Sequence, residues 1–129
     1  MNKILVEVSV GELFDKISIL EIKKDKIKDL DKLKFINDEY KVLKNELEKN
    51  VKMDIKLEKF FVALKNVNSK LWIIEDAKRN CENNSNFGED FIRLSRDVHF
   101  LNDTRAKIKL DINNYTGSKI KEIKEYTSY

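Results

Sequence analysis

Apolar residues recur every three or four positions through most of this chain, which is the spacing of a helix face rather than of a strand. The exception comes first. Lys3-Ile4-Leu5-Val6-Glu7-Val8 is short and β-branched and predicts a strand. Ser9-Val10-Gly11-Glu12 then has the form of a capping box and predicts a first helix from about Val10 to Lys28. Leu13, Ile17, Leu20 and Ile27 stripe one side of that helix, while Ile19 and Ile22 fall nearly opposite. A helix apolar on two sides either lies at the centre of its fold or meets a partner chain.

A second helix is expected over about 32–50, capped by Asp31, with Leu33, Ile36, Tyr40, Leu43 and Leu47 in 3-4-3-4 spacing. After the short turn Val51-Lys52-Met53, Asp54 caps a third helix with its seam at Leu57, Phe60, Phe61, Leu64, Val67, Leu71 and Ile74. So short a connection predicts an antiparallel, coiled-coil-like hairpin. The polar stretch 81–88 reads as a loop. Glu89 and Asp90 open a fourth helix that runs to about Tyr115 and stops at Gly117. Its stripe is Phe91, Leu94, Val98, Leu101, Arg105, Ile108, Ile112 and Tyr115. The tail, 118–129, is expected to extend as a strand beside the N-terminal one. The predicted fold is mainly α: one domain over 1–129, four long helices in an antiparallel bundle, and a short N-terminal strand paired with the tail.

Composition narrows the function. The chain has 129 residues, no proline and three glycines, so few breakers interrupt the helices. Charged residues make up 38%, yet the net charge is only +3 and no segment carries a basic block. Nucleic-acid binding needs clustered Lys and Arg, so that partner is not expected. One cysteine (Cys81) and one histidine (His99) exclude an intrachain disulfide and a single-chain zinc site of nitrogen and sulfur ligands. No run approaches the ~20 apolar residues of a membrane helix, and the start is too short in its apolar part for a signal peptide. A cytoplasmic protein without membrane insertion is expected.

Three polar clusters interrupt the apolar seams. Glu12, Asp15 and Lys16 share the first turns of the first helix. Carboxylates three apart can hold a divalent cation if a second helix completes the shell; they also suit a helix N-terminus, with Lys16 pairing to Glu12. Asn68, Trp72, Glu75, Asp76 and Arg79 line the third helix beside its seam, where an aromatic can stack a ring or simply edge the core. On the fourth helix, Arg105 takes a seam position, with Asn102 and Asp103 just before it and Arg96 two turns earlier. A guanidinium on a seam must be paired, because an isolated buried charge is very costly. Carboxylates of the first and third helices are its natural partners. The same arginines also suit a phosphate or carboxylate clamp.

In order and spacing these segments resemble a small uncharacterised bacterial family known only as a domain of unknown function. The matching pieces are Gly11-Glu12-Leu13 with Asp15-Lys16-Ile17 and Ile19-Leu20-Glu21-Ile22-Lys23; Val67-Asn68 and Leu71-Trp72 with Ile74-Glu75-Asp76; Phe87-Gly88 with Phe91-Ile92; and Asn102-Asp103 with Arg105-Ala106. Asp97-Val98-His99 departs from the pattern, where a small polar residue and an aromatic are expected. The resemblance implies a helical cytosolic protein encoded near surface-glycan or glycosyltransferase genes, and it brings no catalytic residues to carry over.

Two functions are then expected. The first is a non-catalytic helical assembly or accessory protein, a homodimer with no cofactor, linked to surface-glycan synthesis and able to take a further protein partner. The second is a Mg²⁺-dependent nucleotide or nucleotide-sugar protein of the all-α pyrophosphohydrolase kind. There Glu12, Asp15, Glu75 and Asp103 would hold the ion, and Lys16, Arg96 and Arg105 the phosphates.

Overall fold

The computed structural model describes residues 2–128 as four helices: α1 (Val10–Lys26), α2 (Leu30–Asn50), α3 (Ile55–Asn83) and α4 (Glu89–Thr116). The ends follow from local chemistry. The Ser9 hydroxyl accepts from the Glu12 N–H at 3.0 Å and starts α1. Asp54 does the same for α3, accepting from the Leu57 N–H at 2.8 Å. Gly117 closes α4 in the left-handed region at φ 69°, where a side chain would be strained. The cap of α2 is Asp29, not Asp31: its carboxylate accepts from the N–H groups of Asp31 and Lys32. The helix therefore starts two residues earlier than expected.

Helix α1 is the hub. It packs against α2, α3 and α4, and α3 packs against α4. This central position is one of the two placements that its two apolar sides allow. Leu13, Phe14, Ile17, Leu20 and Ile22 are all buried. Phe14, Ile17, Leu64 and Ile112 are sealed from solvent and join Leu47 and Leu57 in one core. Each such side chain contributes about 1.5–3 kcal/mol.

Two expectations need correction. Helices α2 and α3 do not close on each other as a coiled-coil-like hairpin; neither backbone approaches the other, and both deliver their seams onto α1. The 3-4-3-4 spacing of α2 reports a narrow buried stripe, and a central helix satisfies that stripe as well as a hairpin partner would. The second correction concerns the termini. No strand occurs among the described residues, and Ile4, Leu5 and Val6 are exposed. A strand needs a pairing edge. The tail offers none and is held to α1 and α4 by side chains: the Ser118 hydroxyl accepts from the Val10 N–H of α1, and Glu122 meets Lys109 of α4.

Length divides the molecule. At 1.5 Å per residue the 17-residue α1 spans about 25 Å, whereas α3 and α4 span over 40 Å. Every buried side chain belongs to residues 9–68 or 109–113, and none to 69–108. The α3–α4 pair thus forms a base where α1 packs on it and an arm beyond. Among the described residues no helix is long and apolar enough to cross a membrane.

Candidate functional site

Three residues of α4 at four-residue intervals face the first two turns of α1. Arg105 meets Asp15, Lys109 meets Glu12, and Asn113 meets the backbone of Gly11. The contacts step back along α4 as they step forward along α1, so the two helices run antiparallel. Gly11 lets them meet closely. A Cβ there would stand on the Lys109 carbonyl oxygen, so the Asn113 amide oxygen reaches the Gly11 N–H at 2.7 Å only because no side chain intervenes.

Asp15 is the centre, at 1% exposure. Arg105 grips both carboxylate oxygens, Nε to Oδ1 at 2.9 Å and a terminal nitrogen to Oδ2 at 2.5 Å. That two-point fork is the strongest form of this pair. The Asn68 amide donates to Asp15 Oδ1 at 2.9 Å and to the Ser18 hydroxyl at 2.8 Å, which ties α3 into the same knot. The Ser18 hydroxyl in turn donates to the Asp15 carbonyl.

Beside this knot lies a second layer. Lys109 Nζ donates to Glu12 at 2.6 Å and to Glu122 of the tail at 2.9 Å, and stands 3.9 Å from Asp15. Lys16 approaches Glu12 at 3.8 Å from the solvent side. The reciprocal half of the expected capping box is therefore not made; the Glu12 carboxylate turns to lysines instead of its own N-terminal backbone. Two turns on, Glu21 accepts from Tyr40 of α2 and Lys65 of α3, so a single carboxylate joins three helices.

Protonation follows from these contacts. Burial pushes the Asp15 carboxyl up, but the hydrogen bonds from Arg105 and Asn68 and the charges of Arg105 and Lys109 outweigh it and hold it below its ordinary value. Burial pushes Lys109 down, and the bonds to Glu12 and Glu122 more than restore it. Arg105 is raised by its bond to Asp15. All three groups are charged at neutral pH.

The structure gathers Glu12, Asp15, Lys16, Asn68 and Arg105 into one cluster. Glu75, Asp76, Arg96 and Asp103 do not join it; they stand exposed on the arm, with Trp72 and Asn102 half-buried there. Glu12, Asp15, Glu75 and Asp103 form no common shell, and no group of three or more His, Cys, Asp or Glu suited to a metal occurs among the described residues. The reason is electrostatic. Asp15 faces a guanidinium and Glu12 an ammonium, and those cations fill the place an ion would take.

Sequence reasoning missed Lys109, Asn113, Ser18 and Glu122. The four-residue interval from Arg105 through Lys109 to Asn113 is the signal that identifies the first two. Glu122 gives no such signal, since its tail has no periodicity. A polar hollow of about 270 Å³ opens at the mouth of the cluster, walled by Glu12, Arg105, Lys109, Glu122 and Lys124. No buried side-chain nitrogen or oxygen among the described residues lacks a hydrogen-bond partner.

No curated protein and no solved structure matches this chain. The α1–α4 cluster, the arm and the tail all lie within residues 4–129, the span matched by a family of unknown function (DUF6165), and the chain belongs to that family.

Proposed function

We propose that this is a non-catalytic helical protein that acts by assembly, with a clamped base that holds out a two-helix arm to a protein partner. The observation that carries this reading is the mutual saturation of the cluster. Asp15 spends both oxygens on Arg105, and Lys109 bridges Glu12 and Glu122. Groups engaged in this way hold helices together; a substrate would have to break those bonds to use them. The arm supports the reading from the other side, because 69–108 contains no buried residue and displays Ile73, Phe87, Ile92 and Phe100 at the surface. The finer form is a homodimer accessory to glycan-synthesis enzymes in the cytoplasm, and its glycan link rests on the resemblance of the sequence segments alone.

A thermal-shift screen of nucleotides and nucleotide sugars, with and without Mg²⁺, tests the non-catalytic part. A ligand at ~100 times its dissociation constant adds about 2.7 kcal/mol, several degrees for a domain of this size. The expected result is no shift. A Mg²⁺-dependent shift that disappears in Glu12→Ala would contradict the reading.

A further inference from the structure

We propose that the N-terminal segment 3–8 pairs with the same segment of a second copy as an antiparallel two-stranded ribbon, with the two-fold axis at Leu5. This rests on the assembly reading and names a second copy as one partner, joined through the base rather than the arm. The segment has the composition of a strand and nothing to pair with in its own chain. Residues 3–8 make no backbone–backbone hydrogen bond among the described residues. All six are exposed, Leu5 at 90%, Ile4 at 76% and Val6 at 74%. Unpaired backbone flanked by apolar side chains is a template for a strand of another chain. Ser9, the cap of α1, follows at once, so a ribbon formed here ties two clamped bases together.

The residue pattern selects a second copy and one register. In a two-fold pair, if residue i meets residue j, then j meets i. Centring an antiparallel pair on Leu5 sets Leu5 across its own copy, Ile4 across the partner's Val6 and Lys3 across the partner's Glu7. The last two contacts each occur twice. Every neighbouring register loses this match. A centre at Val6 sets Leu5 across Glu7, a centre at Ile4 sets Lys3 across Leu5, and a centre between Leu5 and Val6 sets Ile4 across Glu7. A parallel, in-register pair sets like charges together at both ends. Opposite charges directly across a strand pair stabilise it and like charges destabilise it. The segment is therefore complementary to itself in charge and in apolar character, in one arrangement only.

The faces agree with the register. Successive side chains of a strand point to opposite faces, so Ile4, Val6 and Val8 share one face and Lys3, Leu5 and Glu7 the other. In the pair, the three apolar residues of each copy join into one stripe, while the two ion pairs flank the Leu5 contact on the opposite face. A two-stranded ribbon is marginal by itself. The dimer is therefore weak and reversible, at the small end of interfaces, below about 1,200 Å² in total.

Cross-linking of the full chain reads the register directly. In a Cys81→Ser background, Leu5→Cys sets the two new thiols opposite each other on the axis, with Cα atoms ~4.5–5.5 Å apart and within disulfide reach. Asn2→Cys sets them ~20 Å apart, because each lies across from the partner's Val8. Under mild oxidation the Leu5→Cys chain is expected to link at least about 10-fold faster than the Asn2→Cys chain. Sedimentation equilibrium from ~10 µM to ~1 mM follows association itself. Glu7→Lys is expected to weaken it by about 10-fold, because it sets lysines across from each other twice. The double variant Lys3→Glu/Glu7→Lys is expected to return it to near the parent value. The segment is exposed, so the melting temperature of each variant at high dilution is expected to match the parent, which separates loss of the interface from loss of the fold. A parent chain that stays monomeric through the series would overturn the proposal while leaving the assembly reading open to a different protein. Equal cross-linking at positions 2 and 5, or a charge swap that does not restore association, would also overturn it.

Discussion

The base and the arm are built from the same two helices, yet they obey different rules. In the base, α3 and α4 have a third helix to pack on, and their inner faces carry Leu57, Leu64, Ile112 and a saturated ion cluster. In the arm they have only each other. There the same 3-4 spacing continues through Leu71, Ile74, Leu94 and Leu101, but no residue becomes buried. Periodicity therefore declares which face is apolar, and only the number of neighbouring helices decides whether that face is sealed. An ion cluster appears where three helices converge, because charges taken from water need several elements to supply their partners. The exposed apolar strip appears where convergence ends.

The comparison can be broken most forcefully at Asp15. Asp15→Ala leaves Arg105 half-buried without its carboxylate and is expected to cost about 3–5 kcal/mol in urea unfolding. The matching deletion on the arm, Glu75→Ala, is expected to stay within about 0.5 kcal/mol. Equal costs would dissolve the distinction. Next in size is Gly11→Ala, whose added methyl meets the Lys109 carbonyl; a loss of about 1–3 kcal/mol is expected from the same measurement.

The pH dependence sharpens the same contrast. Asp15 is lowered in the fold, so its contribution is present above the unfolded value and is lost as pH falls through its depressed one. Lys109 is raised, so its contribution is present below the ordinary lysine range and is lost only as pH rises through its elevated value. Melting temperature followed downward from neutral pH is expected to fall in the acid range, and to fall less steeply in Asp15→Asn, which has no proton to gain. Smallest in its effect on stability is Phe100→Ser, expected to leave the melting temperature within a few degrees, since the side chain is half exposed.

Much of the base was legible in sequence. Ser9, Asp54 and Gly117 mark helix ends by chemistry that acts within a few residues, and they cap as expected. The two-sided pattern of α1 allowed a central place or a partner chain, and within this chain α1 takes the central place. Arg105 on a seam announced a buried pair, and Asp15 supplies the partner from α1. What was not legible depends on distant geometry. The α2 seam cannot say whether it meets α3 or α1. The β-branched run at 3–8 has strand propensity but no edge to pair with, and propensity alone does not make a strand. Glu122 reaches Lys109 from a tail without pattern. Glu75 and Asp76, adjacent to a seam, looked like candidates for the cluster but lie where no third helix arrives.

Hydrogen exchange read by mass spectrometry puts the division between base and arm to the most direct test. Strong protection of the α1 amides is predicted, because they belong to the clamped base. Amides of 69–108 are predicted to exchange faster, because no residue there is buried. An arm as protected as α1, or an α1 that exchanges as fast as the arm, would contradict that division.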